Sequence, residues 1–305
     1  MRRLVFIVVC CLPLGLAQSS ANSTSPSAGD TIVFSSRTAG GDAELVVVKP
    51  DGSQRQQLTT NRVEDVLPAW SPDHTRIAFA RKASYGKASI WVMSASGARQ
   101  HRLRLGTHPS WSPIGSQLAF DRGGVIYTMS DHGQKVRRIT RGTHPVWAPR
   151  GKTIAFERST KLFVKLFVVD IDTRAVRLLA DADRGLACAR YGEGDPAIAT
   201  LSSPEWSSDA TRLLVSLSCD YYKSAYVKAM IVGLDGKGVT GNLPINALVP
   251  GSRMAWSPDA SRLAFATGFP GPGRFYYPQI ATAKPDGTDM TTLTSDVGSD
   301  RDPDW

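Results

Sequence analysis

At 305 residues with 42% apolar content, the chain has the make-up of a folded globular protein, holding one large repeat domain or two ordinary ones, which excludes a wholly disordered polymer. Its formal charge is +9, falling to about +7 once Arg2 and Arg3 leave with the leader described next. The basic residues are spread along the chain with no single block, which favours anionic cell-surface polymers or membranes over nucleic acid.

In chain order, Met1 to Ala21 reads as a cleaved secretory signal, with Arg2-Arg3 before an apolar core from Leu4 to Leu16 and small residues for cleavage. Pro13 and Gly15 interrupt that run and keep it short of a membrane span. Val9 before Cys10 argues against lipidation. Asn22 to Asp30 is a Ser-rich flexible leader without core residues. After cleavage two cysteines remain, Cys188 and Cys219, and export favours a disulfide between them.

From Thr31 onward one motif recurs: Trp70-Ser71-Pro72-Asp73, Trp111-Ser112-Pro113-Ile114, Trp147-Ala148-Pro149-Arg150, Trp206-Ser207-Ser208-Asp209 and Trp256-Ser257-Pro258-Asp259, with an unfinished copy at Trp305. Each complete copy leads into an apolar run such as RIAFA or TIAFE. The tryptophan spacings of 41, 36, 59, 50 and 49 residues suit propeller blades of four strands each, with insertions in the longer intervals. In the second repeat a strand ends near Trp70, and Arg76 to Arg81, Ser89 to Met93 and Gln100 to Leu103 supply three more. At the N-terminus, Thr31 to Phe34, Glu44 to Val48 and Gln56 to Thr60 read as strands two to four of a blade whose first strand is Asp302 to Trp305. The expected fold is therefore all-β, a six-bladed propeller over residues 31–305, closed by pairing of its two terminal strands.

The stretches Pro68-Ala69-Trp70-Ser71-Pro72-Asp73, Ile77-Ala78-Phe79, Ile126-Tyr127-Thr128-Met129 and Arg138-Ile139-Thr140 resemble the TolB-type (WD-like) propeller repeat. The resemblance covers residues 31 to 305 and does not extend to the N-terminal domain that TolB carries ahead of its propeller. It implies the propeller fold. A TolB role would add envelope integrity, with peptidoglycan-associated lipoprotein as partner.

In such a blade the connections from strand two to three and from strand four to the next strand one share a face. That face carries nearly all the extra length, which makes it the expected binding face. Its loops are read to hold Tyr221 and Tyr222, and Phe275, Tyr276 and Tyr277 within a Pro/Gly-rich loop from Gly268 to Pro278; such aromatics suit stacking or protein contacts, or fold back as a satellite core. A Cys188–Cys219 bridge there would close a loop of about 31 residues, stabilising by roughly 3–4 kcal/mol. The residues just before each P-x-W triplet (Leu67, His108, His144, Ser203, Arg253 and Asp302) are expected to ring the channel mouth. His108 and His144 sit in identical Gly-Thr-His-Pro stretches and could bind a metal given further ligands, while the plainer expectation is that they cap turns or bond backbone carbonyls. Asp302 is poorly placed to join them, and the ring could hold an anion or a chain terminus through Arg253 and the histidines.

No G-x-S-x-G, H-E-x-x-H or C-x-x-C motif is present. The expectation is an exported, non-catalytic, monomeric scaffold in the periplasm, on the cell surface or outside the cell. It would bind a protein or an envelope polymer through the long-loop face, without cofactor, metal or nucleic acid. The alternatives are a metal-assisted polysaccharide lyase or hydrolase at the channel mouth, and a small-molecule or metal sensor.

Overall fold

The computed structural model describes residues 31–38, 40–82, 87–159, 164–181, 198–221, 224–245, 248–249, 251–270, 276–295 and 298–305. The expected signal and leader, Cys188, Tyr222 and Phe275 lie outside these residues. Among those described, every regular element is a strand.

The strands fall into four-membered units in chain order. The first is β1 (Ile32–Thr38), β2 (Ala43–Val48) and β3 (Gln56–Gln57), completed by a strand from the far end of the chain. Next come β4 (Glu64–Trp70), β5 (Arg76–Lys82), β6 (Ala88–Ser94) and β7 (His101–Leu105), then β8 (Thr107–Trp111), β9 (Gln117–Arg122), β10 (Val125–Ser130) and β11 (Arg137–Arg141). The fourth unit is β12 (Thr143–Trp147), β13 (Thr153–Ser159), β14 (Val164–Asp170) and β15 (Val176–Asp181), and the fifth β16 (Ile198–Trp206), β17 (Arg212–Tyr221), β18 (Ser224–Gly233) and β19 (Val239–Leu243). The last is β20 (Met254–Trp256), β21 (Leu263–Pro270), β22 (Tyr276–Ala283) and β23 (Thr291–Thr292). β24 (Gly298–Asp304) then pairs antiparallel with β1, from Val33↔Asp304 to Thr38↔Gly298. Neighbouring strands within each unit are antiparallel, and a single parallel bridge, Val164↔Thr200, links the fourth and fifth units.

Two strands run further than the sequence signals suggest. Tyr221 ends β17, and Tyr276 and Tyr277 open β22, where Tyr277 pairs with Phe269 and Pro278 with Gly268. These tyrosines are therefore strand residues, not loop residues; the ladder continues through a segment whose prolines and glycines read locally as a loop.

The core lies between successive units. The second strand of each is apolar on both faces because it is covered from both sides, and Phe34, Phe79, Phe120, Phe156 and Phe265 are fully buried. Burial of each such ring stabilises by about 1.5–3 kcal/mol. One cluster joins Val33, Leu45 and Val47 to Trp70, Ile77 and Phe79 of the next unit. Another joins Ile32 and Phe34 of the first unit to Ala264, Ala266 and Ile280 of the last, with Trp305 packed against it. The Ser-x-Asp turns explain their own chemistry: Ser71, Ser207 and Ser257 donate 2.6 Å hydrogen bonds to Asp73, Asp209 and Asp259 respectively. That bond, made by an exposed turn, holds the carboxyls of Asp209 and Asp259 down at about 2.

Candidate functional site in the central channel

The residue before proline is where each first strand departs from regular pairing. The ladder slips between Val66 and Ala69, Thr107 and Ser110, Thr143 and Val146, and Ser202 and Glu205. Proline has no N–H to place in the ladder, so the X-Pro pair bulges out. The X residue adopts positive φ: Leu67 at 55°, His108 at 51°, His144 at 50°, Ser203 at 54° and Asp302 at 54°. Such a backbone costs a non-glycine residue on the order of 1 kcal/mol and must be held by its surroundings. Arg253, followed by Met254 instead of proline, is the exception and precedes its strand.

At the mouth, carboxylates supply the hold. Asp121, at the end of the LAFD run on β9, accepts Thr107 Oγ1 at 2.8 Å, His108 Nδ1 at 2.6 Å and the backbone N–H of His144 at 3.0 Å. Glu157, its counterpart on β13, accepts the backbone N–H of Ser203 at 2.7 Å and faces His144 Nδ1 at 3.1 Å. His144 Nδ1 has no aligned hydrogen-bond partner, so this last contact is an ion pair. Each carboxylate thus ties its own unit's histidine to the bulged N–H of the next unit. His108 therefore bonds a carboxylate and His144 faces one, where the plainer sequence reading had both cap turns or bond backbone carbonyls.

The imidazole centroids are 3.7 Å apart, too close for two cations to coexist cheaply. Burial, against the pull of Asp121, pushes His108 down, helped by the neighbouring His144. Burial also opposes the charged form of His144, but Glu157 and Asp121 outweigh it and push His144 up. Of the pair, His144 is the ring whose surroundings favour the proton. Asp121 stays low: its burial is outweighed by the bonds from His108, His144 and Thr107.

The void bounded by His108, His144, Ser203 and Arg253 measures about 20 Å³, room for one water. Among the described residues no group of three or more His, Cys, Asp or Glu is arranged to hold a metal ion. Leu67 and Asp302 share the bulge geometry but do not line this void.

On the side of the Ser-Pro-Asp turns lies a second void of about 300 Å³, which shares Val146 and Arg253 with the first and is lined by Trp70, Trp111, Trp147, Glu205 and Asp304 among others. Here Arg253 lies 3.9 Å from Glu205 and 3.6 Å from Asp304, and donates to Pro68 O at 2.9 Å. Asp304 accepts the Trp70 N–H at 2.6 Å. Burial pushes Glu205 up to about 8 despite Arg253, and Asp304 adds to the rise. Burial likewise raises Asp304 against the pull of Arg253. Sequence reasoning missed both carboxylates. They occupy the position one before tryptophan, which reads Ala69, Ser110, Val146, Glu205, Ala255 and Asp304 across the repeats, and aligning that column would have found them.

Residues 65–187 match the family model described as the TolB beta propeller domain. A Tol-Pal system protein TolB of Zymomonas mobilis is 36% identical over 79 residues, covering 25% of this chain and 17% of that protein. The solved structure of TolB from Acinetobacter baumannii superposes with a TM-score of 0.68 at 21% identity, covering 90% of this chain and 66% of that one. A second, described as putative TolB from Agrobacterium tumefaciens, superposes at 0.60 and 17% identity, covering 86% of this chain and 89% of that one. This chain is a TolB-like β-propeller repeat protein. The TolB-like repeat is all-β, and the channel just described is framed by its first strands. The matches span only about a sixth of the curated relative's length and just under two thirds of the Acinetobacter chain.

Proposed function

We propose that the protein is an exported, periplasmic, non-catalytic scaffold, a six-bladed propeller over residues 31–305 that binds a protein of the cell envelope through its long-loop face. Pairing of β24 with β1 and packing of the first unit on the last support six units closed into a ring. The TolB relatives, named for the Tol-Pal system, support the envelope assignment and favour the periplasm over the cell surface. The observation that carries the non-catalytic reading is the mouth: its acids and histidines are bonded to one another around a void of about 20 Å³, too small for a sugar ring. A lyase or hydrolase would need those groups turned toward an open cleft. A disulfide from Cys188 to Cys219, which lies near the end of β17, would anchor the insertion between β15 and β16.

The test is capture on the immobilised full chain of purified peptidoglycan-associated lipoprotein from the same cell, alongside its whole envelope extract. The expected result is stoichiometric retention of one envelope protein, weakened at least about tenfold by Tyr277→Ala on the loop-face end of β22. No retention above a heat-unfolded control, or retention indifferent to loop-face variants, would overturn the reading.

A further inference from the structure

The outermost strand of each unit is an edge, and the edges differ. β7 reads HRLRL and β11 reads RRITR, while β15 begins VRLL. The edges β3, β19 and β23 read QQ, VTGNL and TT, with no charge at all. On the basic half, Arg99 and Arg102 precede or lie on β7, and Lys135, Arg137, Arg138 and Arg141 accompany β11, all exposed. No acidic residue occurs in 99–105, 135–141 or 174–178.

These three edges form one continuous rim. Arg104 donates to Gly133 O at 2.7 Å, tying β7 to the turn before β11. Arg174 donates to Arg138 O at 2.5 Å, tying the turn before β15 to β11. Arg177 reaches on to Leu234 O at 2.6 Å. Among the described residues the side chains of Arg99, Arg102, Arg137 and Arg141 are exposed and make no hydrogen bond or ion pair.

A second, independent feature falls on the same rim. Six large hydrophobic side chains are exposed among the described residues, and four of them, Leu105, Val136, Val176 and Leu178, lie on or beside these edges at 37–40% exposure. Protection of an edge from unwanted pairing accounts for scattered charge. It does not account for apolar side chains beside the charge, nor for three edges that carry none.

We propose that this basic and apolar rim is a docking surface for an anionic phospholipid bilayer. Arginines meet the headgroup phosphates while Leu105, Val136, Val176 and Leu178 enter the headgroup boundary, the division of labour of interfacial membrane binding. Guanidinium forks suit phosphate oxygens, and the attraction is screened by salt. A polyanion such as nucleic acid or a teichoic-type polymer would use the arginines and leave the apolar residues idle, which is why lipid is favoured. The rim and the long-loop face are different surfaces, so membrane docking and partner capture stand or fall separately.

The experiment is co-sedimentation of the purified full chain with vesicles of phosphatidylcholine alone and of phosphatidylcholine mixed with phosphatidylglycerol. The expected result is binding to the anionic vesicles only, weakened about tenfold or more by high salt and by the triple variant Arg102→Glu, Arg137→Glu, Arg141→Glu. Leu105→Ser with Val136→Ser should weaken binding several-fold more than it weakens retention on heparin, which reads charge alone. All four substituted sites beyond Arg102 are exposed as well, and an unchanged circular dichroism spectrum and melting profile certify the fold. Absence of binding to anionic vesicles, or binding unmoved by the charge reversals, overturns the surface. Lipid binding indifferent to the serine variant overturns the lipid assignment in favour of a simple polyanion site.

Discussion

The two levels of the channel place carboxylates in similar positions and give them opposite electrostatics. At the mouth, Asp121 is buried yet held below its ordinary range, because three donors reach it at 2.6–3.0 Å. Deeper in, Glu205 is pushed up to about 8 with Arg253 no nearer than 3.9 Å. Burial acts on both. What separates them is whether N–H and O–H donors point at the ionised oxygens, so directed hydrogen bonds outweigh a loosely placed cation. The mouth is thereby a structural lattice of fixed charges, and the interior a site with protons to gain or lose.

Breaking the lattice should have the largest effect. Asp121→Ala strands the His108 ring and the strained His144 N–H together, and is expected to cost about 2–4 kcal/mol in urea unfolding. Asp121→Asn should cost less, since its carbonyl oxygen still accepts one of the donors.

The interior supplies a smaller, pH-dependent effect. The folded pKa of Glu205 lies above its unfolded value of 4.5, so the folded state binds the extra proton between roughly pH 4.5 and 8. Its contribution to stability is present in full below that window and is lost as pH rises through it, by an amount on the order of a few kcal/mol. Glu205→Gln should flatten this part of the stability–pH profile; an unchanged slope would show that Glu205 is ionised at neutral pH.

The smallest and sharpest comparison lies within the histidine pair. NMR titration should find His144 above 6.5 and His108 below it. Glu157→Gln should bring His144 down, because the largest counterweight to burial is then lost and Asp121 alone still opposes it. Two histidines titrating together near 6.5 would contradict the 3.7 Å stacking.

Much of the scaffold was legible in the sequence because each repeat carries its own local chemistry. The Ser-Pro-Asp turns, the strand that follows and the bulge-prone X-Pro pair are encoded within a few residues, and five of the six X positions adopt positive φ. The glycines of the two Gly-Thr-His-Pro stretches are required by the strand that follows in the same unit. A Cβ on Gly106 would collide with Phe120, and one on Gly142 with Phe156. The tyrosines of β22 were misread because proline and glycine report local preference, while the Phe269↔Tyr277 pairing is set by a partner strand.

The sequence by itself determined the repeat, its strand-and-turn grammar and the bulged X-Pro pairs, since all of these follow from short-range sterics and hydrogen bonding. Only the tertiary structure decided that Asp121 reaches His144, that Arg253 stands between Glu205 and Asp304, and that arginines scattered through three repeats share one rim. Those meetings join residues tens of positions apart, and they depend on how successive sheets pack face to face around the apolar clusters between them.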